Sequence, residues 1–344
     1  MKLLFFTQKV DADDDVLGFV HGWLKEFSLH FDKVIVVCLY KGRYNLPPNV
    51  VVLSLGKEES VSKIGYILRF YKYVWHYRKE YNAVFVHMNS IYVLLGGILW
   101  KLWNKKTAFW FNHTFGNWKD RVAFHIADPI FHTSPFAFSA HTKKSVRMPA
   151  GINTDLFKPY QDIKADENSL VYVGRLSRVK NVDTLIEAAL LLDKEGVLFT
   201  LDLYGSFDAK DPEYALQIKT ISQPLIDTNK VRFLGSLPNE KMSEIYNTHQ
   251  ILINLTPRGN YDKTVLEAMS CEKLVVVSSP AFADLLPQTV FFKEKNSIDL
   301  AQTLRTMFLL SEGEKEKLGR GFREKITERH SLQTLVTKVH ALLL

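Results

Sequence analysis

The sequence predicts an α/β fold made of two consecutive doubly wound domains, and three observations predict it. Short apolar strands alternate with amphipathic helical stretches along most of the 344 residues, the pattern of parallel sheets covered by crossover helices. That alternation breaks at Gly151 to Pro159, passes through the polar stretch Tyr160 to Asn168, and starts afresh with a strand at Leu170 to Val173. Several strands end in glycine or in polar residues, and in open α/β sheets the carboxyl ends of the strands are where ligands sit.

In the first half, residues 2–7 and 33–39 are predicted parallel buried strands. Between them Phe19, Val20, Trp23, Leu24 and Phe27 share one face of a helix, completing a βαβ unit. The first strand-to-helix loop holds Asp11, Asp13, Asp14 and Asp15, then Gly18. The acidic run lacks the Gly and Glu of a calcium loop, so a solvated loop is expected. Gly18 stands near the helix start, where amides favour anions or polar ligands. Further strands are predicted at 50–55, 83–87, 107–111, 130–133 and 143–148, with an apolar helix at 91–103. The helix over 61–81 interleaves Tyr66, Phe70, Tyr71, Tyr73, Trp75 and Tyr77 with Lys63, Arg69, Lys72, Arg78 and Lys79. That mixture suits anionic lipid headgroups, nucleic acid, or a core helix with snorkelling cations. The strand at 107–111 delivers Asn112, His113 and Thr114 to its carboxyl end.

In the second half, strands are predicted at 170–173, 198–204, 231–234, 250–254, 274–278 and 289–292. Helices are predicted at 181–194, 213–222, 239–247, 264–270 and 297–311, and the tail 314–344 forms one or two more, with Leu332, Leu335, Val336, Val339 and Leu342 periodic. The expected domains are 1–160 and 161–325, with 326–344 crossing back onto the first. No internal repeat or low-complexity segment is present.

Hydrophobic content of 47% and charged content of 24% are those of a water-soluble globular protein. Cys38 and Cys271 make no metal or redox spacing, which fits a reduced compartment. The amino-terminal apolar run is too short for a signal peptide, and the run Ile91 to Trp100 is about half a membrane span. The net charge of +7 is uneven: residues 1–160 carry 21 Lys and Arg against 12 Asp and Glu, the remainder 23 against 25. A basic first half points to an anionic partner, a membrane surface, a phosphorylated substrate or nucleic acid, or to no special partner.

The richest stretch is Val171 to Lys180. A strand ends at Gly174, and Arg175 and Lys180 follow at the start of the helix region. A glycine there allows a sharp turn and close ligand approach. Arg as a planar fork and Lys as a point charge suit a diphosphate, although a strand–turn–helix with surface cations has the same letters. Farther on, Val265-Leu-Glu-Ala-Met places Glu267 in a helix that follows a loop.

Taken together, Tyr172-Val-Gly-Arg-Leu-Ser-Arg-Val-Lys180, Val182-Asp-Thr-Leu-Ile-Glu-Ala-Ala189, Val231-Arg-Phe-Leu-Gly-Ser-Leu-Pro238, Val265-Leu-Glu-Ala-Met-Ser-Cys271 and the hinge-like Gly151-Ile-Asn-Thr-Asp-Leu-Phe157 resemble the large retaining family of GT-B glycosyltransferases, family four. It includes bacterial enzymes of polysaccharide and glycolipid assembly. The resemblance is strong over the second domain and diffuse over the first. It implies two Rossmann-like domains facing across a cleft. It implies donor binding by Gly174, Arg175, Lys180, Lys263, Thr264 and Glu267, with His113, Arg175 and Lys180 as the catalytic set; Gly18, Gly205 and Asp262 are further donor-side candidates read from their own positions in the sequence. Arg175 and Lys180 would hold the diphosphate and stabilise the leaving group. Amides of Lys263, Thr264 and Val265 would face the phosphate or sugar, and Glu267 would accept from the donor ribose hydroxyls. His113 would bond a sugar hydroxyl.

The sequence departs from the family at three places. The usual pair of glutamates has only its second member: Gly259 stands where the first is expected, and Asp262 is the nearest carboxylate to replace it. Asn153 takes the usual Asp of the hinge, and Glu272 the usual Gly after Cys271.

The function implied is transfer of a hexosyl-type sugar, with retention and without a metal or other cofactor, from a nucleoside-diphosphate sugar to a glycan or lipid-linked acceptor. A cytoplasmic location is expected, with room for peripheral contact at the anionic inner face of the plasma membrane; nucleic acid is not an expected partner. The alternatives are a catalytically weak nucleotide-sugar-binding scaffold and a sugar-nucleotide epimerase or hydrolase on the same fold.

Overall fold

The computed structural model describes residues 1–14, 16–259 and 261–344. Asp15, the last of the loop aspartates, and Asn260, within the segment lacking the first glutamate, lie outside the described residues. The chain forms two compact units, residues 1–151 with 331–344 and residues 152–330.

Unit 1 runs β1 (Lys2–Val10), α1 (Phe19–His30), β2 (Lys33–Lys41), β3 (Val50–Ser54), α2 (Lys63–His76), β4 (Ala83–His87), α3 (Ser90–Leu102), β5 (Lys106–Trp110), α4 (Trp118–Ile126), β6 (Ile130–His132) and β7 (Ser145–Arg147). The strands form one sheet in the order β3-β2-β1-β4-β5-β6-β7, all neighbours parallel. Leu3 to Phe6, Val34 to Val37 and Val84 to Val86 are continuous apolar runs because both faces of the sheet are covered. On one face Leu3, Phe5, Val34 and Val36 pack with Trp23 and Phe27 of α1. On the other Leu4, Phe6, Ile35 and Val37 pack with Phe70 of α2 and Trp100 of α3.

Unit 2 runs β8 (Ser169–Val173), α5 (Val182–Lys194), β9 (Thr200–Tyr204), α6 (Pro212–Asp227), β10 (Val231–Gly235), α7 (Met242–Thr248), β11 (Ile251–Asn254), α8 (Lys263–Ser270), β12 (Leu274–Val277), α9 (Ser297–Phe308) and α10 (Glu312–Arg329). Its parallel sheet has the order β10-β9-β8-β11-β12. A last helix, α11 (Leu332–Leu343), belongs to unit 1, where Leu335, Val336 and Val339 enter the core beside Trp23.

Several expectations need correction. The division falls at 151/152 and 330/331 rather than at 160/161 and 325/326. Ser243 Oγ donates to the Leu156 carbonyl, and Ser270 Oγ and Arg323 donate to that of Phe157, so the hinge-like segment is bound into unit 2. Helix α10 continues unbroken to Arg329. No strand forms at 289–292: residues Gln288–Val290 make a 3-10 turn, and only Phe291 bridges to Val277. The loop aspartates are not merely solvated. Asp14 pairs with Lys9 and accepts from the Val16 and Leu17 amides, and Asp13 pairs with Arg43. Helix α4 is an addition to the expected elements. It starts with a reciprocal capping box between Asn117 and Asp120.

Candidate active site

The strand order of unit 2 reverses between β8 and β11, and a doubly wound sheet opens a crevice at that point. The loop after β8 carries Gly174, Arg175 and Lys180; the loop after β11 carries Thr256 and Asp262. They meet directly. The Lys180 ammonium donates to Thr256 Oγ1 and to Asp262 Oδ2, both at 2.8 Å. Thr256 Oγ1 also donates to Asp262 Oδ2 at 2.8 Å, and Asn254 Nδ2 donates to the same oxygen at 3.3 Å. Beside this cluster Asn181, in the left-handed conformation at the start of α5, donates from Nδ2 to the Leu255 carbonyl at 3.2 Å, tying the two loops together.

Asp262 has two further duties. As N-cap of α8 its carboxylate accepts from the Thr264 amide, and its Oδ1 accepts from Thr264 Oγ1 at 3.2 Å. Burial opposes its ionisation. The Lys180 ammonium and the hydroxyl and amide donors outweigh that burial and hold the carboxyl down at about 2. Asp262 is therefore an anion already occupied by Lys180 and by a helix terminus, and the Thr264 amide expected to face the donor phosphate is already engaged by it.

Two glycines shape the floor. Gly205 follows β9 with φ +150°, and a Cβ there would stand 1.9 Å from the Gly174 carbonyl oxygen. The close approach of the two turns thus requires glycine. The Arg175 carbonyl accepts from the buried Tyr172 hydroxyl at 2.9 Å, while the Arg175 side chain is exposed and makes no ion pair among the described residues.

One turn into α8, Glu267 is only 4% exposed. Its Oε1 accepts from Asn239 Nδ2 at 3.1 Å and its Oε2 from the Tyr246 hydroxyl at 3.0 Å. Burial raises its pKa, partly opposed by those two donors and by Lys263. Lys263, four residues earlier on the same helix, is pushed down to about 7 by burial, with Glu267 opposing. Gly259, where the resemblance expects the first glutamate, is buried with φ +95°. Glu272, where the family has glycine, has φ +60°, which explains the family's choice in stereochemical terms.

Unit 2 thus gathers Gly174, Arg175, Lys180, Gly205, Asp262, Lys263, Thr264 and Glu267 on the loops and helix at one end of its sheet. Gly18 and His113 belong to unit 1. Gly18 precedes α1 as its N-cap, without a side-chain cap. His113 is exposed after β5, its ring edge-on to Phe111 at 5.2 Å and its carbonyl accepting from the Phe138 amide. The sequence reading missed Asn254, Thr256, Asn239 and Tyr246. The first two were findable as polar residues closing the apolar strand β11 at the ligand end of a sheet; the last two come from α7 and the turn before it, with no local signal. Among the described residues no group of three or more His, Cys, Asp or Glu side chains is placed to hold a metal ion.

Residues 153–324, half of the chain, match the family described as Glycosyl transferases group 1. No curated protein matches. Among solved structures, Anabaena Alr3699/HepE in complex with UDP and glucose is 17% identical with a TM-score of 0.78, over 100% of this chain and 99% of that one. Sucrose-phosphate synthase from Thermosynechococcus elongatus is 16% identical with a TM-score of 0.77, over 99% and 98%. A glycosyltransferase from Rickettsia africae gives the same identity, TM-score and coverage. At such identities the likeness is one of fold, the two-sheet GT-B arrangement. On the family match, the chain belongs to the group 1 glycosyl transferases.

Proposed function

We propose that the protein transfers a hexosyl-type sugar, with retention, from a nucleoside-diphosphate sugar to a glycan or lipid-linked acceptor in polysaccharide or glycolipid assembly. The observation that carries the donor side is the Lys180 ammonium, fixed where β8 and β11 part by Asp262 and Thr256. An ammonium held in place, with an exposed guanidinium, Arg175, five residues earlier in the same segment, offers two cations to a diphosphate. It would stabilise charge on the departing nucleoside diphosphate without a metal. Glu267, oriented by Asn239 and Tyr246, keeps lone pairs for the ribose hydroxyls. His113 is assigned to a sugar hydroxyl. The complexes of Anabaena HepE with UDP and glucose and with UDP-glucose support a uridine nucleotide as the first donor to try.

Catalysis on this reading comes from positioning and leaving-group stabilisation, with the departing phosphate taking the acceptor proton. The test is an acceptor-dependent transfer assay with product analysis by proton NMR. An anomeric configuration equal to the donor's supports the reading, and an inverted one overturns retention. A second reading, a nucleotide-sugar binder of weak activity, is favoured by Gly259 in place of the first glutamate. It predicts donor binding with no turnover on any acceptor.

A further inference from the structure

We infer that the outer surface of the α2–α3–α4 layer of unit 1 is a docking face for an anionic lipid bilayer. On α2, Ile64, Leu68, Tyr71 and Trp75 follow the i, i+4, i+7, i+11 spacing of one helix stripe. Their opposite neighbours Phe70 and Val74 are in the core, while all four are exposed, Ile64 at 71% and Leu68 at 66%. On α3, Ile91, Ile98 and Leu102 repeat the stripe, Leu102 at 76%. The two helices lie side by side: the Tyr71 hydroxyl donates to the Leu95 carbonyl at 3.1 Å, and the Trp75 and Trp103 rings are 5.8 Å apart. Helix α4 adds exposed Trp118 and Val122 and sits against α3, where Ile126 covers Gly97. Three neighbouring helices thus each expose large apolar side chains, where a monomer in water usually scatters single apolar residues.

Charge selects the occupant. The three helices contain a single carboxylate, Asp120, and it is buried in the capping box of α4. They contain Lys63, Arg69, Lys72, Lys101, Lys119 and Arg121, of which only Arg69 makes an ion pair among the described residues, with Glu59. At the end of α3 the surface dips into a cavity of about 940 Å³. Lys101, Lys105, Lys106, Lys144 and His125 line it, with Asp128 its one acidic side chain. Lys105 and Lys144 are held by backbone carbonyls of Tyr81 and of His125 and Ala127. Lys101 and Lys106 are exposed without ion pairs among the described residues. A second copy of this chain is a poor occupant, because a two-fold contact would set this cationic surface against itself. An anionic bilayer meets both features. The Ile, Leu and Trp side chains enter the headgroup–acyl boundary, and the lysines meet lipid phosphates. The contact is peripheral, since no helix among the described residues is long and apolar enough to cross a membrane.

The inference concerns unit 1 alone and supplies the acceptor side of the proposed function with a location. Its failure is separable from that of the donor reading, because nucleotide binding is measured in the same samples. The experiment is co-sedimentation of the full chain with vesicles of phosphatidylcholine and of equal phosphatidylcholine and phosphatidylglycerol at low salt, with tryptophan fluorescence. The expected result is at least about tenfold stronger binding to the anionic vesicles, weakened by salt, with a blue-shifted emission. The variants Lys72→Glu/Lys101→Glu and Leu68→Ser/Trp75→Ser alter only exposed side chains, and each should lose about tenfold or more while melting normally and binding nucleotide as the parent does. Equal binding to both vesicles, or unchanged binding in either variant, overturns the proposal. So does wild-type self-association abolished by Leu68→Ser/Trp75→Ser, which would assign the face to a second copy. Competition by inorganic phosphate at low millimolar concentration would also overturn it, assigning the basic cavity to a free anion.

Discussion

Replacing Asp262 by Asn tests how the second unit holds its cation. The substitution keeps the shape and the helix-capping capacity, since Asn and Asp cap about equally well, and removes the charge that Lys180 faces at 2.8 Å. Both side chains are about four-fifths buried, so solvent screens the pair only in part. The Asp262 pKa of about 2, against an ordinary 3.8, corresponds to about 2 kcal/mol in favour of the ionised folded state. Because the folded pKa is depressed, that stability is fully present above the unfolded pKa near 4 and is lost as the pH falls through about 2. Asp262→Asn should therefore cost about 2 kcal/mol at neutral pH and about 1 kcal/mol at pH 3, read as the shift in urea midpoint at matched pH. The double variant with Lys180→Met should show a coupling of similar size. A pH-independent cost, or a double-variant cost equal to the sum of the singles, would refute the electrostatic account and leave Asp262 as a helix cap alone.

Other outcomes follow from single contacts. Gly205→Ala sets a methyl 1.9 Å from the Gly174 carbonyl and should lower stability by about 2–3 kcal/mol and abolish nucleotide binding; a melting temperature like the parent's would contradict the close approach. Tyr246→Phe removes the donor to Glu267 Oε2, raising the Glu267 pKa further. The cost, about 1–2 kcal/mol, should grow as the pH rises and Glu267 ionises, and a cost that shrinks would give the wrong sign. Glu272→Gly relieves a left-handed φ of +60° and should gain about 1 kcal/mol in thermal or urea unfolding; a loss would mean the Glu272 side chain matters more than its backbone.

Much of this was legible in the letters. Apolar runs such as Val34-Ile-Val-Val and Leu274-Val-Val-Val read as parallel buried strands because they are short and rich in β-branched residues. The order of Gly174, Arg175 and Lys180 after an apolar strand marked a strand–turn–helix with two cations, a pattern shared by ligand-end turns and by ordinary surface turns. What was not legible depends on contacts between distant segments. That Lys180 pairs with Asp262, 82 residues on, has no local signature. The same holds for Tyr246 and Asn239 on Glu267. Helix α4 was missed because Trp118 to Ile126 mixes cations with exposed apolar residues, which blurs its periodicity. The boundary was placed late because polar Tyr160 to Asn168 looks like a linker, whereas Leu156 and Phe157 already bond to unit 2 through Ser243, Ser270 and Arg323.

The central claim is a nucleoside-diphosphate site built on Arg175, Lys180 and Glu267. Its most direct test is a titration calorimetry series with UDP, GDP, ADP, dTDP and CMP on the parent protein and on Arg175→Ala, Lys180→Ala and Glu267→Ala. The account predicts that one diphosphate binds, that each variant weakens it at least about tenfold, the loss of a charge-assisted or buried hydrogen bond, and that UDP is the first to do so. Equal affinity in all four proteins, or no binding by any nucleotide to the parent, would contradict it.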